Sequence, residues 1–201
     1  MANYDFIRLN EIDSTNSYAL RNITELSDRT IIIADKQFSG RGRLERKWIS
    51  DIEGNVYMSI VLKPAQSINT SLPLANITQF MSVVLCRILE QYGIPAKIKW
   101  PNDVLVDGKK IAGILSEVST KGELLKGFVL GVGVNLNCTE EAISRIDQPA
   151  TSLNLLLNSP VNRDEFINEL LKEFFNGYND FIKRGFVSIK SEYISRSDFL
   201  G

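Results

Sequence analysis

The chain has 201 residues, 44% hydrophobic and 23% charged, with a net charge of −1 and no histidine. Such a length suits one domain, or one with a small appendage, able to bury a sizeable core, and the near-neutral balance argues against broad nucleic-acid binding, which needs a basic face. The missing histidine excludes Ser-His-Asp and Cys-His nucleophiles and His-based zinc sites, leaving carboxylates, lysines, arginines and backbone donors to do any chemistry.

The N-terminus lacks a basic-then-apolar signal and no window nears 18 uninterrupted apolar residues, so neither secretion nor membrane insertion is expected. Cys86 and Cys138 lie far apart in apolar surroundings. They read as reduced thiols of a cytoplasmic protein rather than a disulfide.

In chain order, DFIRLNEI is a predicted strand leading into DSTNSYALRNI, a short helix that Asp13 or Ser14 would cap. RTIIIADKQ and NVYMSIVLKP read as core strands on either side of a basic loop. Residues 72–92 carry apolar positions at helical spacing and stop at Gly93, a C-cap signal. AKIKW is a short strand. DVLVDGKKIAGILSEV predicts a hairpin turning at Asp107-Gly108, and ELLKGFVLGVGVNLN a further strand after a turn at STKG. Three helical segments follow: TEEAISRI, TSLNLLL and a long amphipathic one from Arg163 to Arg184. The expected fold class is α+β: a mixed, largely antiparallel central sheet with helices mainly on one face. Hairpin connections between consecutive strands disfavour a doubly wound parallel sheet.

Three stretches could carry chemistry. The loop GRGRLERKW holds Arg41, Arg43, Arg46 and Lys47 against Glu45, and its glycines Gly40 and Gly42 allow close backbone approach to a ligand. Arginine forks match phosphate oxygens in two-point contacts, so the loop reads either as solvated surface or as a segment that orders over an anion. In KWPNDVLVDGKKIAGILSE, Pro101 makes Trp100 extended. Asn102 and Asp103 serve as turn formers, or Asp103 as an oxygen ligand for Mg²⁺. Lys109 and Lys110 are adjacent and must point to opposite faces. Lys110 precedes an apolar strand interrupted by Gly113, where a ligand could approach closely; a lysine aimed there needs a carboxylate or an anion to meet it. In GVGVNLN, Asn135 could read a purine edge or satisfy neighbouring backbone. The GVG lacks the helix and spacing of a dinucleotide fingerprint, and that reading is discarded.

Taken together and in order, STN, ADKQFSGRGR, Trp48, KWPNDV, a lysine beyond a short turn, KIAGILSE and GVGVNLN resemble the catalytic domain of biotin protein ligases, closely from residue 10 to 137. The pairing of GRGR with KWPND is the specific part. The resemblance implies a two-step reaction: ATP and biotin give biotinyl-5′-AMP, and the biotinyl group then passes to a lysine of a biotin carboxyl carrier domain. It implies Ser14, Thr15, Asn16, Gln37, Gly40, Gly42, Gly113 and Leu115 at biotin. Trp48, Asn102 and Asn135 would lie at the adenylate, and Asp103 near Mg²⁺. Lys110, Arg43 and Arg41 would neutralise the reacting carboxylate and phosphate.

Three departures stand out. Glu45 occupies a place where many relatives have glycine, which implies a stiffer loop. The chain begins almost at the catalytic domain, so a DNA-binding repressor module is not expected, nor DNA as a partner. It stops at SDFLG, about where relatives begin a small β-barrel domain. The expectation is a single catalytic domain over residues 1–201, with that C-terminal domain absent or truncated; a homodimer is left open. The rival reading is a lipoyl or octanoyl protein ligase or transferase of the same fold.

Overall fold

An edge strand, Asp5–Ile12 (β1), shows only exposed and half-buried residues, whereas Thr30–Gln37 (β2) and Val56–Leu62 (β3) are buried almost throughout. That contrast follows from position: inner strands covered on both faces read as continuous apolar runs. The computed structural model of the chain describes residues 4–44, 46–63, 74–122 and 124–198. Glu45, the predicted helix start at Leu72 and Pro73, and the closing residues 199–201 lie outside them.

Helix Thr15–Arg21 (α1) links β1 to β2, and the two strands are parallel, as a crossover requires. Its N-cap is Ser14, whose Oγ accepts from Ser17 N. Every other neighbouring pair is antiparallel. After Ile77–Gln91 (α2) come Lys97–Lys99 (β4), Asp103–Val106 (β5), Lys109–Lys121 (β6) and Leu124–Val134 (β7). The seven strands lie in the order β1-β2-β3-β7-β6-β5-β4. Asp107 and Gly108 both take positive φ, 48° and 74°, as the two-residue hairpin turn demands. The later turn differs from expectation. Strand β6 runs through Ser119 and Thr120, and the reversal falls at Gly122, φ 62°. The residues read as turn formers simply continue the β6–β7 ladder, with a register shift at Ser119/Thr120.

The C-terminal third is helical: Glu140–Ser144 (α3), Leu153–Leu157 (α4), Arg163–Arg184 (α5), a 3₁₀ turn and Lys190–Arg196 (α6). Helix α5 starts where Asn162 caps the amides of Asp164 and Glu165, and ends at Gly185. With α2 it covers one sheet face, burying Phe80, Phe166, Phe174 and Phe181; the Phe80 and Phe181 rings stack at 4.7 Å. Each such ring contributes about 1.5–3 kcal/mol by leaving water. On the opposite face α1 packs, with Ala19 and Ile23 against Ile32, Val61 and Val129. Among the described residues, the part of that face formed by β7, β6 and β5 has no helix over it. The basic loop lies there instead.

Candidate functional site

Two rows of aligned residues form the floor. Tyr57, Gly133, Gly113 and Asp103 lie side by side across β3, β7, β6 and β5, and Ser59, Gly131 and Leu115 form the next row. The glycines make room for what lies above. A Cβ on Gly133 would fall 2.6 Å from Trp48 Cε2, and one on Gly113 2.8 Å from Trp48 Cζ3, so the indole rests flat on bare backbone. A Cβ on Gly131 would collide with the Asn16 carboxamide.

The loop folds as a small hairpin. Gly42 N donates to Arg46 O at 2.7 Å, Arg46 N to Arg43 O at 3.1 Å, and Trp48 N to Gly40 O at 3.0 Å. Leu44 at its tip takes φ 53°. With the sheet it encloses a cavity of about 990 Å³. Ser14, Thr15, Asn16, Gln37, Arg41, Gly42, Arg43, Trp48, Asn102, Asp103, Lys110, Gly113 and Leu115 all line it. Residues from Ser14 to Gln148 therefore converge on one space. Among the described residues, seven Lys or Arg side chains against two Asp line this cavity, in a chain of net charge −1. Such a concentration of cations favours an anionic occupant.

At one end, Lys110 Nζ lies 2.9 Å from Asp103 Oδ1 and 5.3 Å from the centre of the Trp48 ring. The side chains are 15% and 20% exposed, so the carboxylate meets the charge that burial would otherwise make costly. Arg43 Nη1 reaches Asn102 Oδ1 at 3.4 Å, and Asn102 is clamped to Ile114 by Nδ2 to Ile114 O at 3.0 Å and Ile114 N to Asn102 O at 2.9 Å. The Trp100–Pro101 peptide that precedes them is cis, and Trp100 is exposed.

At the other end, Thr15 N donates to Gln37 Oε1 at 2.8 Å, and Gln37 Nε2 to Ser50 Oγ at 3.0 Å. Ser50 Oγ donates in turn to Trp48 O at 2.9 Å. Arg41 pairs with Glu117 at 2.8 Å rather than projecting freely. The loop, read from the sequence either as solvated surface or as a segment that orders over an anion, thus has a carboxylate of the protein itself to hold it.

Two expected residues stand apart from the cavity. Gly40 packs against Ser50 and the Trp48 carbonyl at the loop's stem. Asn135 is buried; its Nδ2 donates to Thr151 O at 3.1 Å, and its backbone joins Ile111 and Leu153. Residues not anticipated as part of the site are Tyr57 and the segment Arg145, Asp147 and Gln148, which line the cavity, the segment meeting Lys110 N through Pro149 O; Glu117 lies beside the loop, and Ser59 donates to Asn16 beneath it. Arg145 there pairs with Asp51, whose carboxyl it holds below the usual range. Burial pushes the Tyr57 phenol up to about 12, so it stays neutral and donates to Ile52 O at 2.9 Å. Among the described residues no group of three or more Cys, Asp or Glu side chains could cage a metal ion, and no helix is long and apolar enough to cross a membrane.

The sequence model of the biotin/lipoate A/B protein ligase family matches residues 9–135. The biotin–[acetyl-CoA-carboxylase] ligase of Paracoccus denitrificans is 33% identical over 194 residues, covering 94% of this chain and 79% of that relative. The bifunctional ligase/repressor BirA of Bacillus subtilis is 33% identical over 166 residues, covering 80% of this chain and 49% of its own length, so the chain spans about half of that protein. In three dimensions, the biotin protein ligase of Aquifex aeolicus in complex with biotin and ATP superposes with a TM-score of 0.81. There the identity is 31%, and the match covers 98% of this chain and 80% of that one.

Proposed function

The chain belongs to the biotin/lipoate A/B protein ligase family, and from that premise we propose that it uses ATP to activate biotin as biotinyl-5′-AMP and transfers the biotinyl group to a lysine of a carboxylase's carrier domain. The observation that carries the proposal is the single cavity with Lys110 and Arg43 at one end and Ser14, Thr15, Asn16 and Gln37 at the other. Its size suits one adenylate-sized molecule. Solved relatives named as binding biotin with ATP, and ligases named for biotin, favour biotin over lipoate as the acid.

In the first step a biotin carboxylate oxygen bonds to the α-phosphorus while the bond to pyrophosphate breaks. Both partners are anions, so the barrier is one of charge. Fixed cations from Lys110 and Arg43, placed in advance, lower it without any proton transfer. Asp103 keeps the Lys110 ammonium aimed along the sheet. Trp48, flat on Gly113 and Gly133, offers a ring face for the adenine. In the second step a neutral lysine amine of the carrier bonds to the acyl carbon, the anhydride C–O bond breaks, AMP departs and the amine proton is lost to solvent. Loop closure shields the anhydride from water between the two steps.

Mg²⁺ fits this site as a companion of the triphosphate, not as a resident ion. It binds through one or two carboxylates plus phosphate oxygens, and Asp103 is the carboxylate beside Lys110. It would supply further charge neutralisation. Two buried free cysteines fit a reducing cytoplasm. We propose residues 1–201 as one catalytic unit; a homodimer is compatible with it. Incubation with biotin, Mg-ATP and a carrier domain, followed by mass spectrometry of the carrier, tests the proposal: a biotinyl mass increment on one lysine supports it. Thermal stabilisation by lipoate or octanoate with ATP but not by biotin would overturn it.

A further inference from the structure

Glu117 stands on β6 two residues past Leu115, on the face that carries Trp48 and Asn16. Its Oε1 is 2.8 Å from Arg41 Nη2, and its Oε2 accepts from Arg41 Nη1 at 3.2 Å and from Asn16 Nδ2 at 2.9 Å. One carboxylate thus holds the first arginine of the loop and the amide beneath the cavity's α1 end. The Glu117 side chain is 20% exposed and that of Arg41 44%, so the pair is only partly wet, and two-point geometry restrains the guanidinium further.

Asn16 is held from its other side as well. Its Oδ1 accepts from Ser59 Oγ at 2.5 Å, and Ser59 Oγ lies 2.8 Å from Thr15 Oγ1. Thr15 continues to Gln37, Ser50 and the Trp48 carbonyl. A continuous string of polar contacts therefore passes under the cavity from one stem of the loop to the other, and Glu117 is its only charged acceptor among the described residues in it.

We infer that Glu117 is a positioning residue that couples closure of the Gly40–Trp48 loop to occupancy of the cavity at Asn16. This rests on the reading of the cavity as the biotin-activating site. Pinning Arg41 removes part of the ordering cost that loop closure would otherwise charge to substrate binding. A ligand that fixes the Asn16 amide also fixes the carboxylate holding the loop. Lys110 and Arg43 make no contact with Glu117, so its loss acts on binding and retention rather than on bond making.

The experiment compares Glu117→Gln, which keeps an acceptor for Asn16 but loses the charge, with wild type by three measurements. Amide hydrogen exchange of the free chain should show Gly42, Arg46 and Trp48 exchanging about fivefold faster in the variant, the size expected for a half-exposed ion pair. The KM for biotin should rise by a similar factor while kcat for pyrophosphate release stays within about twofold, and Tm should be unchanged. Unchanged loop exchange, a fall in kcat at constant KM, or a loss of Tm that accounts for the effects would each overturn the assignment. If wild type itself releases no pyrophosphate with biotin and ATP, the proposed function fails, while the exchange measurement still decides whether Glu117 holds the loop.

Discussion

Lys110 Nζ and Asp103 Oδ1 lie 2.9 Å apart on adjacent strands at the floor of the cavity. The pair explains how a lysine can be carried largely out of water beside the apolar stretch at residues 111–115: the carboxylate supplies the counter-charge until an anionic substrate shares it. It also makes the two residues unequal under mutation. Lys110→Ala removes the cation and leaves Asp103 unpaired, with an expected cost of about 1–3 kcal/mol. Loss of a positioned charge at a developing transition state should lower kcat for pyrophosphate release by roughly 10²–10³-fold. Lys110→Arg should not restore it, because the guanidinium is wider and its fork differs from a point charge. Steady-state pyrophosphate release beside a thermal melt checks both effects; a wild-type rate in the alanine variant would contradict the role.

The glycine floor makes a prediction that separates the two ends of the cavity. Gly133→Ala places a methyl group 2.6 Å from the Trp48 ring, so the indole must lift and the adenine end is deformed. Gly131→Ala pushes instead on the Asn16 carboxamide. Alanine is intrinsically better than glycine in a strand by about 0.5–1 kcal/mol, which offsets part of the strain, so Tm should change little in either variant. Calorimetric titration should show Gly133→Ala weakening nucleotide binding while biotin affinity holds, and Gly131→Ala the reverse. Equal losses for both ligands in both variants would mean the floor does not divide in this way.

The elements were legible in the sequence where one local rule dominated. The Asp107-Gly108 turn, the Gly93 stop and the 22-residue helix from Arg163 all follow from neighbours within a few positions. Strand β6 overran its expected end because Ser119 and Thr120 are compatible with both a turn and a ladder, and only the partner strand decides. In the site, Lys110, Asp103, Arg43 and the Ser14–Asn16 segment were visible as motifs. Glu117 was not. Its partners lie 76 and 101 residues away, and a lone glutamate at the end of KIAGILSE has no local signal. Trp48's seat on Gly113 and Gly133 likewise depends on the β6–β7 register, which no short pattern encodes.

Asn55 should prove structural. It is 1% exposed, and its Oδ1 accepts from both Leu136 N and Asn137 N, at 2.8 and 2.9 Å, where the chain leaves β7. Asn55→Ala strands one buried and one part-buried amide at once, an expected cost of about 2–4 kcal/mol. In a chain of this size that corresponds to a fall in Tm of roughly 5–12 °C. Asn55→Asp keeps the acceptor but loses the Nδ2 contacts to Tyr57 Oη and Cys138 Sγ and buries a carboxylate, so it should recover only part of it. A melt of the two variants is sufficient; equal Tm for Asn55→Ala and wild type would show that the exit from β7 is held by something else.

Acid should loosen the packing of α6 against α2 before it disturbs the sheet. Arg87 on α2 holds Glu192 with contacts of 2.9, 3.2 and 2.5 Å and Glu173 at 2.8 Å, while Arg196 bridges Glu192 and Glu90. Hydrogen bonding from Arg87 lowers the Glu192 carboxyl below its usual value of 4.5, and Arg196 does the same for Glu90. Because both folded values are depressed, the stabilisation is fully present above the unfolded value and is lost as pH falls through the folded ones. Stability should therefore be flat from pH 7 to about 5 and decline below about pH 4.5. These groups are partly exposed, so solvent screening limits the Arg87 network to about 1 kcal/mol. Arg87→Met should be less stable than wild type by that amount at pH 7, with a smaller gap at pH 3, on the acid side of the unfolded value, as the glutamates protonate. Denaturant melts of both proteins at the two pH values measure it; a gap independent of pH would assign the role of Arg87 to packing of its aliphatic stem rather than to its charge.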